Sequence, residues 1–485
     1  MHPVLTPSEM AAADRRAVER GTSEAVLVER AGTAVAWAAR RMLGGTYGRR
    51  VTVVAGKGNN GADGCVAARR LAAWGVRVDT YELATGVDAA AFRRSVARAD
   101  LVIDAMFGTG LRAALAGDAL VVVDAVAEER TRRALAVLAV DIPSGVDGAT
   151  GGVDGAAVVA DETLTFAARK PGLLFPPGRT HAGVVHVADI GIDVAGLSRA
   201  SVLDVEDLAL VPRDPSAHKW SSGLMVVAGS EGMTGAALLV ARAAARTGAG
   251  MVVCALPGRD AAARASGSEI VTRALPATPE GALDTDAARL VLRDLHRFRA
   301  LALGPGLGRD DRTAAAVARL VAEAPCPIVV DADALHALAD DPAPLRVRHT
   351  AGLPPAVLTP HAGEYERLAH EPVGADRIAA ARRLAARLDA IVLLKGPGTV
   401  VSSPAGDVVV NTTDDVALAT AGTGDVLTGV IGALLARGVD PARAASAAAY
   451  LHGAAARRAG TAPGLVASDV IEALPRTLAA LPTRP

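Results

Sequence analysis

Five consecutive residues, Ala421-Gly422-Thr423-Gly424-Asp425, combine the parts needed to hold a phosphate and move a proton beside it. The two glycines let backbone N–H groups turn toward one point. The amphipathic run Val426 to Arg437, closed by Gly438, predicts a helix whose amino end adds partial positive charge there. A carboxylate at that edge, Asp425, can take a proton from a substrate hydroxyl while the amides hold a phosphoryl group. Alone, the same stretch also reads as a glycine turn with Asp425 as an N-cap. Its weight comes from the motifs around it.

A second set of polar groups lies in the first half. Gly56-Lys57-Gly58-Asn59-Asn60-Gly61-Ala62-Asp63-Gly64 follows the apolar run Val51–Ala55. Asp104–Gly110 and Asp141–Gly145 follow the apolar runs 101–103 and 135–140. Gly56, Gly58 and Gly61 form a G-x-G-x-x-G, with Asp79 further on, which is the dinucleotide-binding pattern of a dehydrogenase. Asp63 would repel a pyrophosphate, and two asparagine amides fill space such a loop keeps open. Amide and carboxylate oxygens at several strand ends suit a hard or alkali cation instead. No Gly-Lys-Ser/Thr makes this a Walker A loop.

Strands alternating with helices must position these groups. Expected helices cover Ser8 to Ala39, capped at Ser8 and broken at Gly21, then the stretch from beyond the Gly56–Gly64 loop to Trp74, and Val87 to Ala97. Expected strands cover Val51–Ala55, Val76–Leu83, Leu101–Asp104 and Leu135–Val140. Such alternation implies a parallel, doubly wound sheet, with ligands beyond the carboxyl ends of the strands. The second half repeats the pattern. Its expected strands include Leu224–Ala228, Met251–Ala255, Ile328–Asp333, Val357–His361 and Ile391–Leu394, with a hairpin strand at Thr399–Ser402. A linker is expected near Leu197–Asp204.

At 485 residues the chain is long enough for two large domains or three ordinary ones. It is 51% hydrophobic but only 2% aromatic, so its cores must be aliphatic and rich in alanine. The net charge is -1, with no basic block of the kind a nucleic-acid binder shows. The three cysteines, Cys65, Cys254 and Cys326, are too far apart for a CxxC pair, so neither a disulfide framework nor a zinc cluster is indicated. No apolar run approaches the ~18 residues of a membrane span, and Met1–Arg16 lacks the pattern of a secretory signal. A cytoplasmic location is expected.

Leu27-Val28-Glu29-Arg30-Ala31-Gly32, Gly58–Gly64, Asp104–Gly110 and Asp141–Gly145, in that order, resemble the NAD(P)H-hydrate epimerase family. The resemblance implies a Rossmann-like, three-layer domain over residues 1–200 that interconverts the two epimers of hydrated NADH and NADPH (NADHX and NADPHX). It implies a potassium ion held by Asn60, Asp104 and Ser144. It implies substrate contacts from Asn59, Asn60, Gly61, Ala62 and Asp63, from Gly108, Thr109, Gly110, Leu111, Arg112, Ala113 and Ala114, and from Asp141, which would be the acid/base. The chain departs from the family's pattern at Ala62, where glycine is usual.

The second half resembles the NAD(P)H-hydrate dehydratase family of the ribokinase-like fold. The matching residues are Gly235–Ala237, Gly304–Gly308, Asp331–Leu335, Thr359–Glu364, Lys395–Thr399 and Ala421–Gly429. Departures stand at Trp220 and at Asp414-Asp415-Val416. The resemblance implies an ADP-dependent domain over 205–485 that dehydrates the S epimer and releases AMP and phosphate, with magnesium as a further cofactor. Asp425 would be the base. Ala236, Gly306 and His361 would line the hydrated-nicotinamide pocket. Lys395, Gly396, Pro397, Gly398, Thr399 and Gly424 would hold ADP. The fold class is thus α/β, a Rossmann-like domain followed by a ribokinase-like one. The expected partners are NADHX, NADPHX and ADP, with no nucleic acid or membrane and with assembly as a homo-oligomer. The rival readings are a ribokinase-fold kinase of a small molecule or vitamin, a first half serving only as a binding or scaffold module, and a nicotinamide dehydrogenase.

Overall fold

A computed structural model describes residues 1–111, 113–208, 216–265, 269–460 and 463–482. The chain divides into two compact units, His2–Ser201 and Val202–Pro485. Among the described residues no helix is long and apolar enough to cross a membrane.

In the first unit the sheet order is Arg77–Glu82, Arg50–Ala55, Leu101–Ala105, Ala136–Val140, Glu162–Phe166 and Val184–Ala188, all parallel. The last two strands were not anticipated by apolar patterning. Glu162, Thr163 and Thr165 break the run, yet Thr163 and Thr165 are buried with their hydroxyls bonded. Alternate residues of each strand feed two separate cores. Val51, Val53, Leu101 and Ile103 face the helices Glu24–Leu43 and Asn59–Ala73. Val54, Val102 and Val137 face Ala89–Val96 and Asp118–Arg132. This gives three layers. The first helix, Pro7–Glu19, is capped by Thr6 and not by Ser8, as part of a capping box with Glu9. The strand order reverses between Arg50–Ala55 and Leu101–Ala105, so a crevice opens beyond their carboxyl ends.

In the second unit the strands run Val408–Asn411, Thr399–Ser402, Ile391–Leu394, Val357–Leu358, Ile328–Val330, Ala300–Leu303, Gly223–Val227, Met251–Pro257 and Val271–Leu275. Ile391–Leu394 onward are parallel. The Thr399–Ser402 hairpin is antiparallel at both its pairings. The expected linker at 197–204 contains a short strand, Ala200–Val202. The strand expected to reach Asp333 stops at Val330, which releases Asp331 and Asp333 from the sheet ladder.

The helix Thr423–Ala436 is buried along most of its length. Gly429 permits that burial: a Cβ there would lie 2.2 Å from the Val240 carbonyl oxygen and 2.8 Å from the Ala243 methyl. Small residues let this helix and the helix Thr234–Arg246 approach closely where aromatic side chains are scarce. Gly429→Ala should therefore destabilise the protein by about 1–3 kcal/mol, the usual cost of overpacking. Urea unfolding of the second unit would show the lowered midpoint.

Candidate functional sites

At the strand-order reversal of the first unit lies a cavity of about 1050 Å³. Of the predicted residues, Asn59, Asn60, Asp63, Gly108, Thr109, Gly110, Leu111 and Asp141 line it. Gly61, Ala62, Ala113 and Ala114 do not, and Arg112 lies outside the described residues. Two glycines of the G-x-G-x-x-G serve backbone packing. A Cβ at Gly56 would meet the Met106 carbonyl oxygen at 1.8 Å, and one at Gly61 would meet the Gly56 carbonyl oxygen at 1.9 Å. Asn59 opens the following helix, so the Asn-Asn-Gly-Ala-Asp loop is its first turn.

Asp104 is fully buried at the end of its strand. It accepts the Ser144 hydroxyl at 2.6 Å and the Ser144 amide at 2.8 Å. Burial pushes its carboxyl up to about 6, against those hydrogen bonds. Both side-chain polar atoms of Asn60 are buried without a hydrogen-bond partner. A buried amide oxygen with nothing to accept is a group that a bound cation would satisfy. Asp141 adopts φ 67, a left-handed conformation unusual for a side chain other than glycine. A Cβ at Gly108 would lie 3.2 Å from Asp141 Oδ2 and 3.4 Å from Asn60 Oδ1, so the absent side chain leaves both oxygens open to the same space. Asp63, buried beside these groups, is pushed up to about 8, first by burial and then by the charges of Asp141 and Asp14. Lys170, which no motif pointed to, is buried against Asp141 Oδ1 at 2.6 Å.

In the second unit Asp331 is buried just past its strand. It accepts Lys395 Nζ at 2.9 Å on one oxygen and the Thr428 hydroxyl at 2.7 Å on the other. Lys395 also lies 3.6 Å from Glu364. Lys395 is therefore no surface turn residue; despite burial, the two carboxylates raise its ammonium above the ordinary lysine value. A Cβ at Gly424 would sit 3.7 Å from Lys395 Nζ, which brings the lysine to the glycine turn. Gly422 makes that turn at φ 86, and Asp425 stands in the first turn of the helix, not at its cap. Burial, then Asp331, push Asp425 up to about 7, Lys395 opposing. His452 packs behind the turn, and burial pulls it down to about 4, so it is neutral.

Ala236 and Gly306 meet: a Cβ at Gly306 would lie 3.3 Å from the Ala236 methyl. His361 caps the helix Ala362–Ala369 through Nδ1, which accepts the Gly363 amide at 3.0 Å, and its exposed ring lines a smaller pocket with Arg309, His336 and Arg367. The Lys395–Thr399 loop is braced from within: Gly398 N–H donates to Asp414 at 2.7 Å, and Arg377 donates to the Lys395 carbonyl at 3.1 Å. Asp414 thus gives one departure from the family's pattern a structural task. Trp220 has another, packing edge-on against Phe298 with centroids 5.5 Å apart. Arg377, His452 and Lys170 carry no spacing signal that would single them out.

The fold and these sites define a two-unit α/β enzyme, each unit built on a largely parallel sheet. Residues 224–476 match the NAD(P)H-hydrate dehydratase family, and residues 24–90 and 82–172 match the family described as YjeF-related protein N-terminus. The bifunctional NAD(P)H-hydrate repair enzyme Nnr of Moorella thermoacetica is 38% identical over 98% of this chain and 96% of its own. Its namesake from Salinibacter ruber is 39% identical over the same shares of both chains. The chain belongs to the family of bifunctional NAD(P)H-hydrate repair enzymes. A crystal structure of the ADP/ATP-dependent NAD(P)H-hydrate dehydratase of Bacillus subtilis, co-crystallised with ATP and Mg2+, is 30% identical, covering 58% of this chain and 98% of that one, with a TM-score of 0.49.

The raised carboxyls set a pH dependence of stability. A carboxyl whose folded pKa is raised contributes stability at low pH that is lost as pH rises through the folded value. The first unit should therefore weaken as pH rises through about 6 for Asp104 and about 8 for Asp63. Asp63→Asn should remove the upper part of that loss, on the order of a few kcal/mol at ~1.4 kcal/mol per pKa unit. Denaturant midpoints between pH 5 and 9 would read it.

Proposed function

We propose that the second unit dehydrates the S epimer of NADHX or NADPHX at the expense of ADP, and that the first equilibrates the R and S epimers. The units so assigned span about residues 1–200 and 205–485. The observation that carries the dehydratase reading is Asp425, raised to about 7 beside Lys395 and Asp331 at a glycine-opened helix start. Hydroxide is a poor leaving group. In this reading Asp425 takes the hydroxyl proton as the oxygen attacks the terminal phosphorus of ADP. The amides around Gly422 to Gly424 hold the transferring group. AMP leaves, the ring nitrogen's lone pair expels phosphate to give an iminium, and loss of a proton from the adjacent ring carbon then gives the reduced nicotinamide. Lys395 to Thr399 would hold ADP, and Ala236, Gly306 and His361 the hydrated ring. Magnesium, bound chiefly by the nucleotide's phosphates with Asp331 and Asp425 at hand, would neutralise their charge.

In the first unit Asp141 would be the acid/base for reversible loss and return of the carbinol hydroxyl. Its cavity and its unpartnered neighbour Asn60 support that reading. Asn60, Asp104 and Ser144 would hold potassium, which would offset the buried carboxylate and fix the loop against the substrate. We place the protein in the cytoplasm as a homo-oligomer.

The full chain incubated with mixed-epimer NADHX and ADP should restore absorbance at the reduced-nicotinamide band. Asp425→Ala should abolish that while leaving epimer exchange intact. Asp141→Ala should stop exchange yet spare consumption of the S epimer; loss of both activities in either variant counts against separate sites. Because the base must be ionised, the dehydration rate should climb with pH through about 7 and then level off.

A further inference from the structure

Lys170 is the buried cation among the described residues of the first unit, 1% exposed. It lies just beyond the strand Glu162–Phe166. Its Nζ donates to Asp141 Oδ1 at 2.6 Å, to the Thr165 hydroxyl at 2.8 Å and to the Phe166 carbonyl at 3.0 Å. That uses all three ammonium hydrogens. Thr165 in turn donates to the same Asp141 oxygen at 3.0 Å. One carboxylate oxygen is thus locked from the sheet side. The other, Oδ2, lies on the Gly108 and Asn60 side, and both Asp141 and Lys170 line the cavity.

A buried ammonium is costly unless paired and fully bonded, and here it is both. Such a group spent only on stability could be replaced by an apolar side chain. Its placement favours another task. Asp141 sits in a strained left-handed conformation, where a lone carboxylate would be free to turn. Two further carboxyl groups, Asp63 and Asp14, face this group, while Arg15 and Lys57 line the same cavity. Lys170 is the ammonium bonded directly to Asp141.

Resting on the reading of Asp141 as the acid/base, we propose that Lys170 is its positioning residue. It pins Oδ1 and leaves Oδ2 as the one oxygen that exchanges a proton with substrate. The proton moves only between Oδ2 and the carbinol oxygen. Lys170 keeps all of its own.

The test follows R-to-S exchange in the full chain without ADP, by chromatography of the two epimers. Lys170→Gln should lower kcat about 100-fold with little change in KM, the scale expected when a catalytic group is displaced. The acid limb of kcat against pH should move upward, because a carboxylate that loses its cation ionises at higher pH. Lys170→Ala should recover part of its activity in the presence of small primary amines. Should Lys170→Gln fail to fold by circular dichroism, Lys170→Met, which keeps the side-chain length, carries the same measurements. A folded variant with unchanged kcat and acid limb overturns the proposal, as does a kcat loss with neither a shifted limb nor amine rescue. Exchange that persists in Asp141→Ala removes the reading beneath it, and the proposal with it. An inactive Asp141→Ala beside an unaffected Lys170→Gln sinks the proposal alone.

Discussion

A lysine ammonium buried against an aspartate at the carboxyl end of a parallel strand recurs in both units. Lys170 meets Asp141 just beyond Ala136–Val140, and Lys395 meets Asp331 just beyond Ile328–Val330. Neither charge would be tolerated alone in such a place, since desolvation penalises each far more than it does at the surface. Paired, each fixes one carboxylate oxygen, and the surrounding hydroxyls of Thr165 and Thr428 complete the bonding. The remaining carboxylates, Asp63 and Asp425, are pushed up to about 8 and about 7, first by their own burial and then by neighbouring carboxylates. Separation of titrating groups into held and raised members is the usual means by which one site supplies both base and acid near neutral pH.

These pairs depend on close backbone approach. With aromatics at 2% the cores are built from Ala, Val and Leu, and glycines sit where chains nearly touch. Gly56 and Gly61 let the first crossover fold tightly over Met106, and Gly304 lies against the Asp331 carbonyl, with 1.9 Å to a would-be Cβ. Gly453 similarly admits the Thr413 carbonyl, which seats the helix Pro441–Ala459 behind the loop that carries Asp414. The glycines at 56 and 61 in this dehydrogenase-like spacing are thus explained by packing. A buried acidic group, Asp63, lies in the helix turn that such an enzyme would turn toward a pyrophosphate.

The departures at Trp220 and Asp414 illustrate how a family site tolerates change. Trp220 fills space beside Phe298 under the guanidinium of Arg297, whose centre lies 4.5 Å from its ring. Asp414 ties down the Gly398 amide, one of the N–H groups of the loop proposed to face the nucleotide. Both act on the scaffold of the loops rather than on the carboxylates.

Much was legible in the order of residues. Alternating apolar runs gave the parallel strands from Arg50–Ala55 to Ala136–Val140, because a strand buried on both faces reads as continuous Val, Ile and Leu. The glycine turn at 421–424 and the acidic strand ends stood out because their residue types do chemistry at short range along the chain. The strands Glu162–Phe166 and Val184–Ala188 did not, since threonines bonded within the fold look polar in isolation. Nor did Lys170 or His452, each far in sequence from the group it serves. Sequence determined the strand-and-turn units and the reactive carboxylates, which are local. Tertiary structure alone decided which oxygen is pinned, which is free and which proton is held tightly, because those follow from burial and from charges brought together across the fold.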